Sequence, residues 1–184
     1  MLLIQNVRRL LDTGDFEAID VAIEGEKIVD LGHDLAGKYR SEDLDVLDGR
    51  GGLITPGLID LHVHFRQPGQ TEKETVATGS SAAARGGYTQ VCAMPNLKPV
   101  PDTAERFEEL QKINQQDGAI SVHQYAPISV DLTSEEELTD FETLTALGAV
   151  AFTNDGVGVQ TAGHMLRAMQ AATKVDRPLV AHTE

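Results

Sequence analysis

The stretch "GLIDLHVHFRQPG", residues 57 to 69, ends an apolar run with two histidines, His62 and His64, separated by one residue. Successive side chains of a strand point to opposite faces, so the two imidazoles share a face while Leu61, Val63 and Phe65 take the other. Two neutral imidazoles held that close can grip one metal ion, and a strand fixes their positions before the ion arrives. The plainer alternative is a pair of histidines satisfied by ordinary hydrogen bonds. Other strand ends strengthen the metal reading. "AMPN" ends in Asn96, "FTND" in Asp155, and "VAHTE" carries His182. In parallel α/β folds functional groups gather at the carboxyl ends of strands. A set of His62, His64, Asp155 and His182 suits zinc or another borderline divalent ion, and a shared carboxylate can bridge two ions. Arg66 follows the histidine pair, and its planar guanidinium can clamp a substrate carboxylate in two places. A surface salt bridge is the alternative for Arg66, and Asn96 at the same rim favours the clamp.

The elements that must position these groups fall into two regimes. Residues 1–53 hold short β-like runs, "LLIQNVRRLL", "IDVAIEGEKIVDLG" and "DVLDG", broken by Gly and Asp turns. They are expected to form a small, mostly antiparallel, β-sandwich-like unit. "GGLITPG" marks the boundary. From residue 54 the expectation is a second unit in which strands alternate with helices. The strands are "LIDLHVHF", "TQVCAMPN", "ISVHQYAPIS", "AVAFTND" and "LVAHTE". "VATGSSAAARGG" is an Ala-rich helix stopped by glycines. "PDTAERFEELQKINQQDG" places Asp102 as N-cap, and "TSEEELTDFETLTALG" offers Ser134 with Glu137 as a capping box. "TAGHMLRAMQAATKVDRP" sets Met165, Leu166, Met169 and Ala172 along one face.

Such alternation makes parallel βαβ units, in a doubly wound sheet or a (β/α)8 barrel. Five strands are too few for a barrel, which takes about 250 residues. The chain also stops on a strand, so the expectation is the front part of a longer design.

Of 184 residues, 41% are hydrophobic and 24% charged, a globular composition. The formal net charge of −14 disfavours a nucleic-acid partner. A single cysteine, Cys92, forms no internal disulfide and fits a reducing compartment. The N-terminus lacks a signal peptide's features, and no apolar run is long enough to span a bilayer. The expected address is the cytoplasm. Among the other candidates, His33 is expected to be solvated, His123 to lie in the core or at a subunit contact, His164 to face solvent, and Cys92 to fill space. "DGVG" lacks the lysine of a phosphate loop, and no GxSxG signature occurs.

"PGLIDLHVHFRQPG", "AAARGGYTQVCAMPN", "AFTNDGVGVQTA" and "VAHTE" together resemble the bacterial type I dihydroorotases of the amidohydrolase superfamily, in family order and spacing across the chain. The resemblance implies an α/β fold whose second unit is the first five strands of a partial (β/α)8 TIM-type barrel. It implies two zinc ions, with His62 and His64 on the first, Asp155 bridging and His182 on the second. Arg66 and Asn96 would grip the substrate carboxylate. Asn154 stands where many relatives carry a second Asp. The implied reaction is reversible cyclisation of N-carbamoyl-L-aspartate to L-dihydroorotate in pyrimidine biosynthesis. A further ligand histidine and the proton-shuttling aspartate would lie beyond residue 184, so this stretch alone is expected to turn over little or no substrate. A homodimer and association with aspartate transcarbamoylase are the partners the resemblance leaves open. Two alternatives stand beside it. Hydantoinases and allantoinases usually present a carboxylated lysine at the end of the fourth strand, where "AVAFTNDG" has none. A non-catalytic scaffold for aspartate transcarbamoylase would not need the metal ligands.

Overall fold

The computed structural model describes residues 1–39 and 43–182. The chain divides into two compact units, Met1–Pro56 and Gly57–Glu184.

The first unit is built on one four-stranded sheet. Its strands are β1 (Leu2–Leu10), β2 (Phe16–Glu24), β3 (Lys27–Gly32) and β4 (Asp45–Leu53), in the order β3-β2-β1-β4. β1 with β2 and β2 with β3 are antiparallel, whereas β4 joins β1 in parallel. Alternation along β1 and β2 buries Leu3, Val7, Ile19 and Val21. The β2–β3 hairpin pairs Glu24 with Lys27 across two residues. Gly25 takes the first of these at φ 59°, a left-handed conformation that glycine adopts without strain.

The second unit is a mixed α/β layer. β5 (Leu58–Val63), β6 (Tyr88–Ala93) and β7 (Ser121–Gln124) form a parallel sheet in chain order. One residue on, β8 (Ala126–Pro127) pairs in parallel with β9 (Phe152–Thr153), and Leu179 bridges to Phe152 in the same sense. Each extended segment therefore runs beside the one before it. Between them lie α1 (Val76–Arg85), α2 (Ala104–Asp117), α3 (Phe141–Ala146) and α4 (Ala162–Val175).

Three local expectations need correction. The N-cap of α2 is Thr103, which accepts from Arg106 N. Asp102 instead pairs with Arg106 at 2.7 Å and accepts from Asp131 N. Ser134 does not open a helix: it accepts from the backbone N–H groups of Glu136 and Glu137, closing a turn, and α3 begins later behind Asp140. Serine and aspartate close turns by the same bonds that cap helices, so the sequence device is ambiguous. In α4 the buried positions are His164, Ala168 and Ala172, four residues apart, while Leu166 and Met169 are 56% and 55% exposed. The strands are also shorter than their apolar runs; the fifth is a single bridge at Leu179, and Thr183 and Glu184 of "LVAHTE" lie outside the described residues.

A core cluster of Phe107, Ile128, Phe141, Leu144, Phe152, Ala168 and Ala172 joins α2, α3 and α4 to the β8–β9 pair. Phe141 and Phe152 stack with ring centroids 3.8 Å apart. This packing holds the strand from which Asp155 emerges.

Candidate metal centre

β5 carries His62, and His64 follows one residue past its end. Their Nε2 atoms lie 3.2 Å apart. The Asp155 carboxylate, in the turn after β9, meets both: Oδ1 is 3.4 Å from His62 Nε2, and Oδ2 is 3.5 Å from His64 Nε2. His182, two residues after the Val180 that bonds to Phe152, brings Nδ1 to 3.1 Å from Asp155 Oδ1. Asp155 is buried, His64 and His182 are half-buried, and His62 is exposed. His62, His64, Asp155 and His182 thus meet around one carboxylate.

Asn96, beyond β6, sets the proton positions. Its Nδ2 donates to Asp155 Oδ2 at 3.2 Å, an acceptor-only partner that fixes the amide's orientation. The Oδ1 then faces His64 Nδ1 at 3.0 Å, so that nitrogen carries the proton and donates. His64 Nε2 is left with a bare lone pair aimed at His62 and Asp155. Burial lowers the His64 pKa below the ordinary value, against the raising effect of its bond to Asn96 and with the Arg66 charge acting in the same direction as burial. The ring is neutral where a metal ligand must be neutral.

The turn after β9 is tightly specified. Asn154 O accepts from the N–H groups of Val157 and Gly158, and Gly156 sits at φ 86°. A Cβ at Gly156 would lie 3.3 Å from Asn96 Nδ2, so a side chain there would be strained and would crowd the amide.

The donor set fits a divalent ion. A tetrahedral ion with nitrogen and oxygen ligands at roughly 2.0–2.1 Å separates neighbouring donor atoms by about 3.3 Å. The 3.2 Å between the His62 and His64 Nε2 atoms has that spacing, and each Asp155 oxygen lies at a similar distance, 3.4 or 3.5 Å, from one of the two ring nitrogens. These three form a ligand group with all donor atoms within 4.8 Å of one another.

The remaining sequence candidates divide. Arg66 follows the site, half-buried, and among the described residues no carboxylate pairs with it. His33 is exposed beside Glu17, and His123 bonds to Gln90 at 2.8 Å across neighbouring strands. Cys92 is buried with its thiol pKa raised by burial, an inert filler. His164 was expected to face solvent; it is 2% exposed and bonded to Ser129 and Arg167. The signal that could have placed it is the four-residue spacing to the small residues Ala168 and Ala172, a narrow face that closely approaches its neighbours.

The site's residues lie within a recognised family region. Residues 51–184 match the family described as Dihydro-orotase-like. The chain belongs to that family. A protein named dihydroorotase from Enterococcus faecalis is 57% identical over 153 residues, covering 83% of this chain and 36% of the relative. The Bacillus pumilus dihydroorotase is 48% identical over 182 residues, covering 99% of this chain and 41% of the relative. The chain therefore spans well under half the length of these dihydroorotases. Among solved structures, the L-hydantoinase of Arthrobacter aurescens superposes with a TM-score of 0.81 at 21% identity, covering 100% of this chain and 40% of that one. A D-hydantoinase from Thermus sp. gives 0.74 at 24%, with the same two coverages. At these identities the hydantoinases show a shared fold. No helix among the described residues is long and apolar enough to cross a membrane.

Proposed function

We propose that this chain forms the metal-binding part of a dihydroorotase, a cyclic amide hydrolase that interconverts N-carbamoyl-L-aspartate and L-dihydroorotate. The triangle of His62, His64 and Asp155 donor atoms carries the reading. Relatives named dihydroorotase at 48% identity across nearly the whole chain supply the substrate. The second unit is then the opening of a (β/α)8 barrel, preceded by the small β-unit of residues 1–53, which the chain-ordered parallel strands support.

In this reading His62 and His64 would hold a first zinc ion, His182 would hold a second, and Asp155 would be shared between them. The Asp155 carboxylate touches all three histidines, Oδ1 facing His62 and His182 and Oδ2 facing His64, which supports its place between them. The chemistry such ions supply is polarisation of the ring carbonyl and acidification of the attacking water. The protein's own groups orient the substrate. Arg66, free of a carboxylate partner among the described residues, takes the substrate carboxylate by two parallel hydrogen bonds. The second Nδ2 proton of Asn96, not needed by Asp155, is available to the same carboxylate. Anchoring at that end holds the ring amide toward the ligand triangle and removes rotational freedom.

The experiment is a substrate panel with the full-length, zinc-loaded protein: L-dihydroorotate, hydantoin and allantoin. Turnover of dihydroorotate alone is expected. Turnover of hydantoin instead would move the assignment to the hydantoinases, and bound zinc without any turnover would move it to a scaffold.

A further inference from the structure

A line of buried polar groups runs away from Asp155 into α4, and the ligand set does not include it. Asn154, Ser129 and His164 are 2%, 1% and 2% exposed. Asn154 Oδ1 accepts from the backbone N–H groups of Ile128 and Ser129, each at 3.0 Å. Its Nδ2 donates to Ser129 Oγ at 2.9 Å. Ser129 Oγ lies 2.8 Å from His164 Nε2, and His164 Nδ1 lies 2.9 Å from Arg167 Nη2. That same Nη2 donates to the carbonyl of Glu135 at 3.1 Å.

Donor and acceptor rules give the line a single direction. A guanidinium only donates, so His164 Nδ1 accepts and the ring proton sits on Nε2. Nε2–H donates to Ser129 Oγ, which also accepts from Asn154 Nδ2. The Asn154 Nδ2 also donates to the Gly158 carbonyl at 3.5 Å, so the carboxamide cannot flip without placing its oxygen against that carbonyl and its NH2 against two N–H groups. Each group is satisfied in one arrangement and frustrated in the other, which is costly in a buried site. Asn154 directly precedes Asp155, and its carbonyl closes the turn that aims the carboxylate.

We propose that His164 and Arg167 are positioning residues for the Asp155 carboxylate, acting through the Ser129 hydroxyl and the Asn154 carboxamide. The proposal rests on Asp155 being a metal ligand. Arg167 locks the His164 tautomer, His164 fixes Ser129, and Ser129 with two backbone N–H groups fixes Asn154. The strand end after β9 then delivers Asp155 to His62, His64 and His182 in one geometry.

The test measures cobalt(II) affinity and the cobalt absorption spectrum in the full-length protein. His164→Leu is expected to weaken affinity about 10- to 100-fold, the usual effect of losing an outer partner of a ligand, and to change the spectrum. His164→Gln, whose amide can accept from Arg167 and donate to Ser129, is expected to restore most of both. Arg167→Ala, at an exposed position, keeps the test open should His164→Leu not fold; it is expected to shift the spectrum in the same direction. Leu144→Ala, in the core cluster that also holds Ala168 and Ala172 of α4, is expected to lower the melting temperature without changing the spectrum. Wild-type affinity and spectrum in the His164 and Arg167 variants would overturn the proposal, as would an equal spectral change in Leu144→Ala. Asp155→Ala distinguishes the underlying reading: full cobalt affinity in that variant would remove Asp155 as a ligand and the proposal with it.

Discussion

At the residue scale, the site depends on which atoms can only donate and which can only accept. Asp155 orients Asn96, and the Asn96 Oδ1 accepts from His64 Nδ1–H, leaving Nε2 for an ion. Arg66 makes none of these hydrogen bonds and has no carboxylate partner among the described residues. On the proposed function, replacing Arg66 with Gln in the full-length protein is therefore expected to raise KM for dihydroorotate by roughly 10- to 100-fold, the worth of a charge-assisted hydrogen bond, with metal content unchanged. Parallel steady-state kinetics and metal analysis check this; a loss of metal with KM intact would reassign Arg66. Most of this site was legible in the sequence. A two-residue spacing on a strand and ligand-type residues at strand ends need only the strand's period and the parallel topology. His164 was the exception: its spacing to Ala168 and Ala172 hints at a buried face, but its partners Ser129 and Arg167 meet it only once α4 packs on the 126–129 segment.

At the element scale, the order of strands and helices was legible from apolar runs and glycine stops, whereas helix starts were not. Asp102, Ser134 and Asp140 are all of the type that caps helices, and only Asp140 does so, accepting from Thr143 N at 3.0 Å. Asp102 yields the α2 cap to its neighbour Thr103, and whether Ser134 or Asp140 starts α3 depends on where Phe141 and Leu144 find their core, a tertiary matter. Asp140→Ala is expected to destabilise by about 1 kcal/mol at neutral pH. Its carboxyl pKa is lowered chiefly by the Thr143 backbone bond, with the Thr143 hydroxyl adding to it. A depressed folded pKa means the contribution is complete above the unfolded value of 3.8 and disappears as pH falls through the lower folded value. Urea midpoints of the two proteins should thus differ at neutral pH and converge in strong acid; an undiminished gap in acid would contradict the capping role. Phe152, fully buried and stacked on Phe141, is the larger contributor: Phe152→Ala is expected to cost about 3–5 kcal/mol in urea unfolding. A loss below about 1 kcal/mol would mean that the stack collapses readily around the gap.

At the scale of the whole molecule, the chain pairs a small β-unit with an α/β unit that contains all six proposed site residues, and it covers 36% and 41% of two related dihydroorotases. A ligand set drawn from β5, the β9 turn and the segment at His182 ties together segments distant in sequence. An ion bound there stabilises the folded state by mass action. Stripping the full-length protein with a chelator is expected to lower its melting temperature and zinc to restore it; an unchanged melting curve would argue that the ligands are held by packing alone.

The central claim is that His62, His64 and Asp155 hold a divalent ion. Its most direct test is the metal content of the purified full-length protein, by elemental mass spectrometry, beside His64→Ala and Asp155→Ala. Stoichiometric zinc or a similar ion in the wild type, sharply reduced in both variants, is the predicted result. Equal metal content in all three proteins, or none in the wild type after zinc loading, would contradict it.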